Sequence, residues 1–207
     1  MDEHAAQQDL IARTRALLGS LQPTALSAVL AAWPQAVDAS AWRALPSNRL
    51  PALRWLPAAF AAAPEFSAPL VGALAAAAPL LAWRQTYAAG QLGAAFCDNY
   101  AWTELFGAHG PLASERIACG FLLLGPSTQY PRHRHEATEW YIPLSGTAAW
   151  QQSDGPWHEW CPGTLIVHGS EEAHAMRAGA SPLLALYCWR SEDLAQQARL
   201  DPCAPAA

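Results

Sequence analysis

The chain has 207 residues, a mass of 22.2 kDa and a net charge of −5. This length suits one domain, or one domain with an added segment, and it buries a core without help from disulfides or a structural metal. A mildly acidic chain with no basic run excludes nucleic acid and anionic membrane surfaces as expected partners. All twelve basic residues are arginine, which excludes lysine Schiff-base and lysine general-base chemistry.

The cysteines and the termini predict a cytoplasmic protein. Five cysteines are widely spaced and form no C-x-x-C motif, so neither a disulfide framework nor a thiolate zinc site is expected. The chain starts with acidic and polar residues, so we expect no signal peptide. The two longest uncharged runs, 16–37 and 66–83, are interrupted by prolines. We interpret both as buried helices and not as membrane spans.

Residues 1–90 are predicted to form a helical segment that packs on the rest of the chain. A first helix ends at Gln22-Pro23, and a second follows Thr24 and runs to Ala32. Further prolines divide the remainder into short helices and turns. No residue of this segment suggests chemistry by its type or spacing. The apolar residues at helical spacing in the first helix are Leu10, Ile11, Leu17, Leu18 and Leu21.

The second region, residues 91–207, is predicted to be a β domain. From about Ile117 short apolar runs alternate with turn residues at a spacing of about eight to twelve residues, which is typical of an antiparallel barrel or sandwich. The predicted strands are 118–124, 139–144, 147–152, 164–168, 173–177 and 183–189.

A histidine cluster carries the clearest chemical signal. Five of the seven histidines lie between positions 133 and 174. In an extended chain His133 and His135 point to one face, and Glu139 and Tyr141 form a second pair of this kind. Two imidazoles and a carboxylate suit a first-row divalent metal that keeps open positions for a substrate. From spacing alone, His168 and His174 are both candidates for a fourth ligand, and surface histidines on an edge strand are the alternative.

These residues resemble the conserved motifs of the cupins. The segment His133-x-His135-(x)3-Glu139-(x)6-Gly146 is similar to the first cupin motif, and Gly163 followed by His174 resembles the second. The resemblance implies a mainly β fold: a cupin double-stranded β-barrel, jelly-roll-like, behind an N-terminal α-helical segment. It also implies that the metal ligands are His133, His135, Glu139 and His174. His168 would then be a structural neighbour on the preceding strand.

A narrower resemblance covers most of the chain. The run Tyr130-Pro-x-His-x-His-x-Ala-x-Glu-x-Tyr141-x-Pro-Leu-Ser-Gly looks like the small cupin lyases that cleave dimethylsulfoniopropionate (DMSP). The segments 83–87, 100–104 and 182–189 are similar to that family as well. The resemblance implies β-elimination of DMSP to dimethyl sulfide and acrylate. Tyr141 would be the base that removes the α-proton, and Tyr130 a second active-site tyrosine.

The chemistry of DMSP agrees with such residues. A divalent metal at the substrate carboxylate would stabilise the charge that develops when the α-proton leaves, and it would lower the pKa of a nearby tyrosine. Aromatic faces would hold the sulfonium cation. Tyr87 and Glu104 are candidates for supporting positions, and Trp140 should face away from the metal by alternation. The residues predicted to bind the cation are Tyr100, Trp102, Tyr187 and Trp189.

Two other functions stay open at this point. The same metal site could serve a cupin that acts on another small carboxylate as an isomerase, a dioxygenase or a different lyase. A ligand-sensing cupin without turnover is the third hypothesis. The ligand type does not distinguish Fe, Zn, Mn, Ni and Co. A homodimer is compatible with the exposed edges of a barrel.

Overall fold

Helices precede strands along the chain. The structure, a computed structural model, describes residues 3–21, 24, 26–34 and 42–201. Short 3₁₀ turns at Pro51–Trp55 and Ala78–Leu80 connect the helices of the first region. The described helices are α1 (Glu3–Leu21), α2 (Ser27–Ala31), α3 (Leu56–Ala61), α4 (Ala68–Ala77), α5 (Ala89–Leu92) and α6 (Ala94–Cys97).

The helices form where the sequence predicts them. Leu10, Leu17 and Leu18 are buried on one side of α1, as their helical spacing requires. The predicted stop signal Gln22-Pro23 lies outside the described residues. The second helix, α2, is shorter than predicted. Prolines occupy the first turns of α3 and α4, where the missing N–H costs no hydrogen bond.

Eleven strands follow in the described part of the chain. All six predicted strands are present, with ends shifted by at most two residues. The prediction missed five others, among them β1 and β4. The strands are β1 (Tyr100–Gly107), β2 (Leu112–Ala113), β3 (Ile117–Leu124), β4 (Gln129–Arg134), β5 (Thr138–Ser145), β6 (Ala148–Gln152), β7 (Trp157–Trp160), β8 (Ile166–His168), β9 (His174–Ala178), β10 (Leu183–Arg190) and β11 (Arg199–Leu200).

The strands form two sheets. The order is β2-β1-β3-β10-β5-β8 in the six-stranded sheet and β11-β4-β9-β6-β7 in the five-stranded sheet. All pairs are antiparallel except β1 with β2. At the turn after β5, Gly146 has φ +79° and an added Cβ would lie 2.1 Å from the carbonyl oxygen of Pro182, so only glycine fits.

The six-stranded sheet is buried on both faces. Phe121 and Leu186 lie on its outer face, in one apolar core with Leu74 of α4. Leu122 and Tyr187 lie on the inner face, in the core between the sheets. This double burial explains why β3 and β10 are continuous apolar runs without polar alternation. Trp140 belongs to the outer core. This position agrees with the prediction from strand alternation, since Trp140 follows the predicted ligand Glu139 and should face away from the metal.

The helical segment contacts the barrel close to the predicted domain boundary between residues 90 and 91. The boundary itself stays a prediction. Arg84 pairs with Trp102 of β1 through two backbone hydrogen bonds of 2.7 and 3.0 Å. Helices α5 and α6 separate this contact from the start of β1. No helix within the described ranges is long and apolar enough to cross a membrane.

Candidate metal centre

Three buried histidines meet between the two sheets. His133 on β4 pairs directly with His174 at the start of β9, and His135 follows the end of β4. One nitrogen from each ring lies within 4.8 Å of the others. No histidine of this cluster is more than 2% exposed. A group of three imidazoles taken out of water in this way suits a transition metal.

Backbone carbonyls fix the orientation of each ring. The Nδ1 atoms of His133, His135 and His174 lie 2.8, 2.9 and 2.9 Å from the carbonyl oxygens of Pro131, Ala137 and Glu172. Each Nδ1 therefore carries the proton and donates it to a carbonyl, which leaves the Nε2 lone pair free for a metal. The local β geometry around the H-x-H motif thus selects the tautomer that ligation requires.

Glu139 brings a carboxylate to the same point from the other sheet. Its Oε2 atom lies 3.1 Å from Nε2 of His135 and 3.2 Å from Nε2 of His174. Its Oε1 atom accepts a 2.5 Å hydrogen bond from the indole N–H of Trp189. Burial alone would raise the pKa of Glu139, but His135 and His174 outweigh it and hold the pKa well below its usual range. The carboxylate is therefore ionised.

The donor set fits the metal that the sequence predicts. Nε2 of His174 is buried and makes no hydrogen bond, although it lies next to Glu139. Burial and then the neighbouring His174 lower the pKa of His133 well below 6.5, so its ring is neutral and able to ligate. Burial opposes the charge on His135 too, but contact with Glu139 raises its pKa. Three imidazole nitrogens and one carboxylate suit a divalent first-row ion.

His168 lies beside this cluster and not within it. It stands on β8, opposite Glu139, and its ring stacks on His174 at 3.9 Å between centroids. Burial, with His174 adding to it, lowers its pKa to about 3, so the ring is neutral. His168 thus lies against a predicted ligand, and the choice of His174 as that ligand stays a prediction.

A cavity of about 460 Å³ opens onto the predicted ligands His133 and Glu139. It contains all the aromatic residues for which the sequence suggested a catalytic or substrate-binding role. They are Tyr130, Tyr141, Tyr100, Trp102, Tyr187 and Trp189. These six residues lie up to 89 positions apart in the chain and line one cavity.

The two predicted catalytic tyrosines line this cavity from different sheets. Tyr141 on β5 faces Tyr187 on β10. Tyr130 on β4 stacks on His133 with ring centroids 4.0 Å apart. Burial is the main cause that raises the pKa of Tyr130 and Tyr141 well above 10, and Glu139 adds to it for Tyr141. Both hydroxyls therefore hold their protons in the absence of a cation.

Tyr87, predicted as a supporting residue, links Tyr130 to the C-terminal part of the chain. The hydroxyl of Tyr130 donates to that of Tyr87 over 3.3 Å, and Tyr87 donates to the carbonyl of Ala198 over 3.1 Å. The hydroxyl of Tyr100 lies 2.9 Å from Oγ1 of Thr86. These contacts fix two of the aromatic rings that line the cavity.

Glu104, the other predicted supporting residue, orders a loop. Its Oε1 atom accepts hydrogen bonds of 2.6 and 2.8 Å from the backbone N–H groups of His109 and Gly110. Burial raises the pKa of Glu104 to about 7 in spite of these bonds. Its side chain lines the end of the cavity near Trp102 and His109.

Two groups of lining residues were missed by the sequence analysis. Asn48, Arg84 and Gln85 come from the helical region, where Tyr87 alone was a candidate for a supporting role. Residues 194–198 approach from the C-terminal side, except Ala195. Residues of the helical region thus line the cavity together with those of the barrel. The only signal in the sequence was the similarity of segment 83–87 to the lyases.

A family model described as dimethylsulfoniopropionate lyase matches residues 26–185, which are 160 of the 207 residues. The chain belongs to the DMSP lyase family. Its fold is shared with crystal structures of this family. One chain from the structures of the DMSP lyases RdDddP and RnDddQII has a TM-score of 0.86 at 29% identity, over 97% of this chain and 100% of that one.

Further relatives support the same family and fold. The predicted cupin barrel behind N-terminal helices is thereby confirmed. DMSP lyase DddQ of Ruegeria pomeroyi is 36% identical over 120 residues, and its crystal structure has a TM-score of 0.79 at 97% coverage of both chains. A putative DMSP lyase DddL of Cereibacter sphaeroides is 37% identical over 123 residues. The matches span 58% of this chain and only 60% and 50% of these two curated relatives.

Proposed function

We propose that this protein is a metal-dependent lyase that cleaves DMSP to dimethyl sulfide and acrylate. One observation carries the proposal: a buried group of three histidines and Glu139 lies at one cavity with Tyr141. Family membership and the DMSP lyase activity for which the relatives are named support the choice of substrate. The proposed ligands are His133, His135, Glu139 and His174. The ion is a divalent transition metal drawn from Fe, Zn, Mn, Ni and Co.

The protein side of the reaction is a proton transfer at Tyr141. A divalent ion at this site would polarise the substrate carboxylate and oppose the raised pKa of the tyrosine. With the metal bound, Tyr141 would first lose its own proton to solvent; its phenolate oxygen then takes the α-proton, the electron pair of the C–H bond forms the C=C bond, and the C–S pair leaves with sulfur. Because the leaving group is a neutral thioether, the site requires no general acid. Tyr130 positions the substrate from the other sheet.

Aromatic faces are proposed to hold the sulfonium group. Tyr100, Trp102, Tyr187 and Trp189 line the cavity, and a cation over such a ring gains about 0.5–2 kcal/mol. The indole N–H of Trp189 is occupied by Glu139, so only its ring face is available for the substrate. The substrate carboxylate then points toward the histidines.

The test is headspace detection of dimethyl sulfide from DMSP, with metal-loaded wild type and Tyr141→Phe side by side. A general base contributes about 10² to 10⁴ in rate, so we expect the variant to lose at least about 100-fold in kcat. Metal content and circular dichroism should match between the two proteins. No release from folded, metal-loaded wild type would contradict the lyase proposal, and another small carboxylate would then be the substrate to seek.

Localisation and assembly are separate proposals. The four described cysteines are free, which supports the cytoplasmic location predicted from their spacing. A homodimer stays a prediction, which sedimentation of the full chain would test.

A further inference from the structure

The cavity has a second polar region, of which the proposed reaction uses only the ring face of Trp102. Arg84 and Trp102 line it, together with Glu104 and His109. Trp102 lies on β1, and in the order β1-β3-β10-β5 three strand spacings separate β1 from the strand of Glu139 and Tyr141. At about 4.8 Å per spacing this is about 14 Å along the sheet. The backbone of Trp102 is therefore separated along the sheet from that of Glu139 and Tyr141, although all three side chains line one cavity.

The backbone of Arg84 is fixed, but its side chain has no partner. Two backbone hydrogen bonds to Trp102 hold the residue in place. Within the described residues, its guanidinium makes no hydrogen bond and has no carboxylate oxygen within 4.0 Å, and its Nε atom is buried. In contrast, Arg43 nearby donates to the carbonyls of Gly107 and Ala108. Arg84 thus presents an unused cation to the cavity.

Trp102 contributes a second unused donor at the same place. Its indole Nε1 is buried and makes no hydrogen bond. Because Arg84 and Trp102 are bridge partners, their side chains start from adjacent backbone positions. A buried N–H group without an acceptor costs free energy of folding. The two unpaired donors of Arg84 and Trp102 therefore indicate that a bound group supplies the acceptor.

The charges around this pair leave room for an anion. Glu104 is the acidic side chain that lines this end, but its Oε1 is bound by two backbone N–H groups. Burial raises its pKa to about 7, so near neutral pH it compensates Arg84 only in part. Burial and the two arginines, Arg84 and Arg43, lower the pKa of His109, so that ring adds no positive charge.

We propose that Arg84 and Trp102 form a carboxylate-binding subsite in this second polar region of the cavity, and that it takes a small monocarboxylate such as acrylate. A guanidinium matches the two oxygens of a carboxylate in geometry and charge, and the indole N–H supplies a third donor. The volume of about 460 Å³ lies in the range of cavities for drug-sized ligands, so two small carboxylates fit. Only the choice of acrylate rests on the proposed function.

Equilibrium dialysis of radiolabelled acrylate against the metal-loaded full-length protein tests the subsite. We expect wild type to bind two acrylates per chain, one at each end of the cavity, and Arg84→Gln to bind one. Trp102→Phe keeps an aromatic ring but removes the donor, and it should weaken one of the two sites about 10-fold. Arg15→Gln is the matched control, because Arg15 is exposed on α1, and it should bind two.

The possible outcomes separate the two proposals. Equal stoichiometry in wild type and Arg84→Gln would overturn the subsite. One acrylate in wild type and none in Arg84→Gln would support the subsite and contradict carboxylate binding at the metal end. If Arg84→Gln does not fold, Trp102→Phe decides: unchanged affinity at both sites overturns the proposal.

Discussion

The two sheets share an apolar core between them, but their outer faces make different contacts. The six-stranded sheet packs its outer face, including Phe121, under the helices. Arg132 and Arg134, on β4 of the five-stranded sheet, are half-buried instead, and both contact Asp201 just beyond β11. Three hydrogen bonds of 2.6 to 2.8 Å join the two guanidinium groups to this carboxylate.

The candidate site needs both sheets at once. His133 and His174 come from the five-stranded sheet, whereas Glu139 and Tyr141 come from the six-stranded sheet. Apolar burial depends little on pH or salt, whereas a half-exposed ion pair depends on both. We therefore expect acid or salt to loosen the sheet of His133 and His174 first. The sheet that carries Glu139 and Tyr141 should stay in place.

The largest effect is expected from the apolar contact of the six-stranded sheet. Phe121→Ala removes a fully buried ring between sheet and helices and should lower the free energy of unfolding by about 3–5 kcal/mol. Urea denaturation measures this change. Val167→Ala on β8 of the same sheet is the control, since Val167 is 40% exposed and should change stability by less than about 0.5 kcal/mol. Similar effects of the two substitutions would contradict the role of the helical layer.

The link between the sheets should respond next. Trp189→Phe removes the N–H that holds Glu139 against the histidines of the other sheet, and metal affinity should fall about 10- to 100-fold. Competition with a chromogenic chelator measures this affinity. Trp157→Phe, on the edge strand β7, serves as control. Unchanged affinity in Trp189→Phe would show that the indole does not orient the carboxylate.

The ionic contact of the five-stranded sheet should have the smallest effect. Asp201→Asn weakens charge-assisted hydrogen bonds to two partly exposed arginines, so we expect a loss of about 1–2 kcal/mol. In 1 M salt the difference from wild type should shrink, whereas that of Phe121→Ala should not. Asp9→Asn breaks an exposed pair on α1 and is the control. If the difference between wild type and Asp201→Asn did not depend on salt, the contact would not be stabilised by charge.

Acid should remove the same contribution. Hydrogen bonds from Arg134 first, and then Arg132, lower the pKa of Asp201 to about 2 against partial burial, while an unfolded aspartate has about 3.9. The stabilisation is therefore complete above about pH 4 and is lost as the pH falls toward 2. The gap between wild type and Asp201→Asn in urea denaturation should close over this range. A gap that stays constant to pH 2.5 would contradict the assignment.

The local parts of the site could be predicted from sequence. His133 and His135 share a face because alternate residues of an extended chain do so. The continuous apolar runs of β3 and β10 predicted strands without further information. Strand β1 was missed because its polar members, Thr103 and Glu104, interrupt the apolar pattern although both are buried. Their side chains form hydrogen bonds with residues outside β1. A local sequence pattern does not show such contacts.

From the sequence alone, the family, the division into a helical and a β region, and the histidines of the cluster could be predicted. These are local properties, since periodicity, turn residues and motif spacing act over a few positions. Only the tertiary structure decided that Arg84 lies beside Trp102 and that Asp201 fastens Arg134, 67 positions away. Such pairings depend on how the sheets close on each other, because contact across a barrel is set by strand order and register and not by distance along the chain.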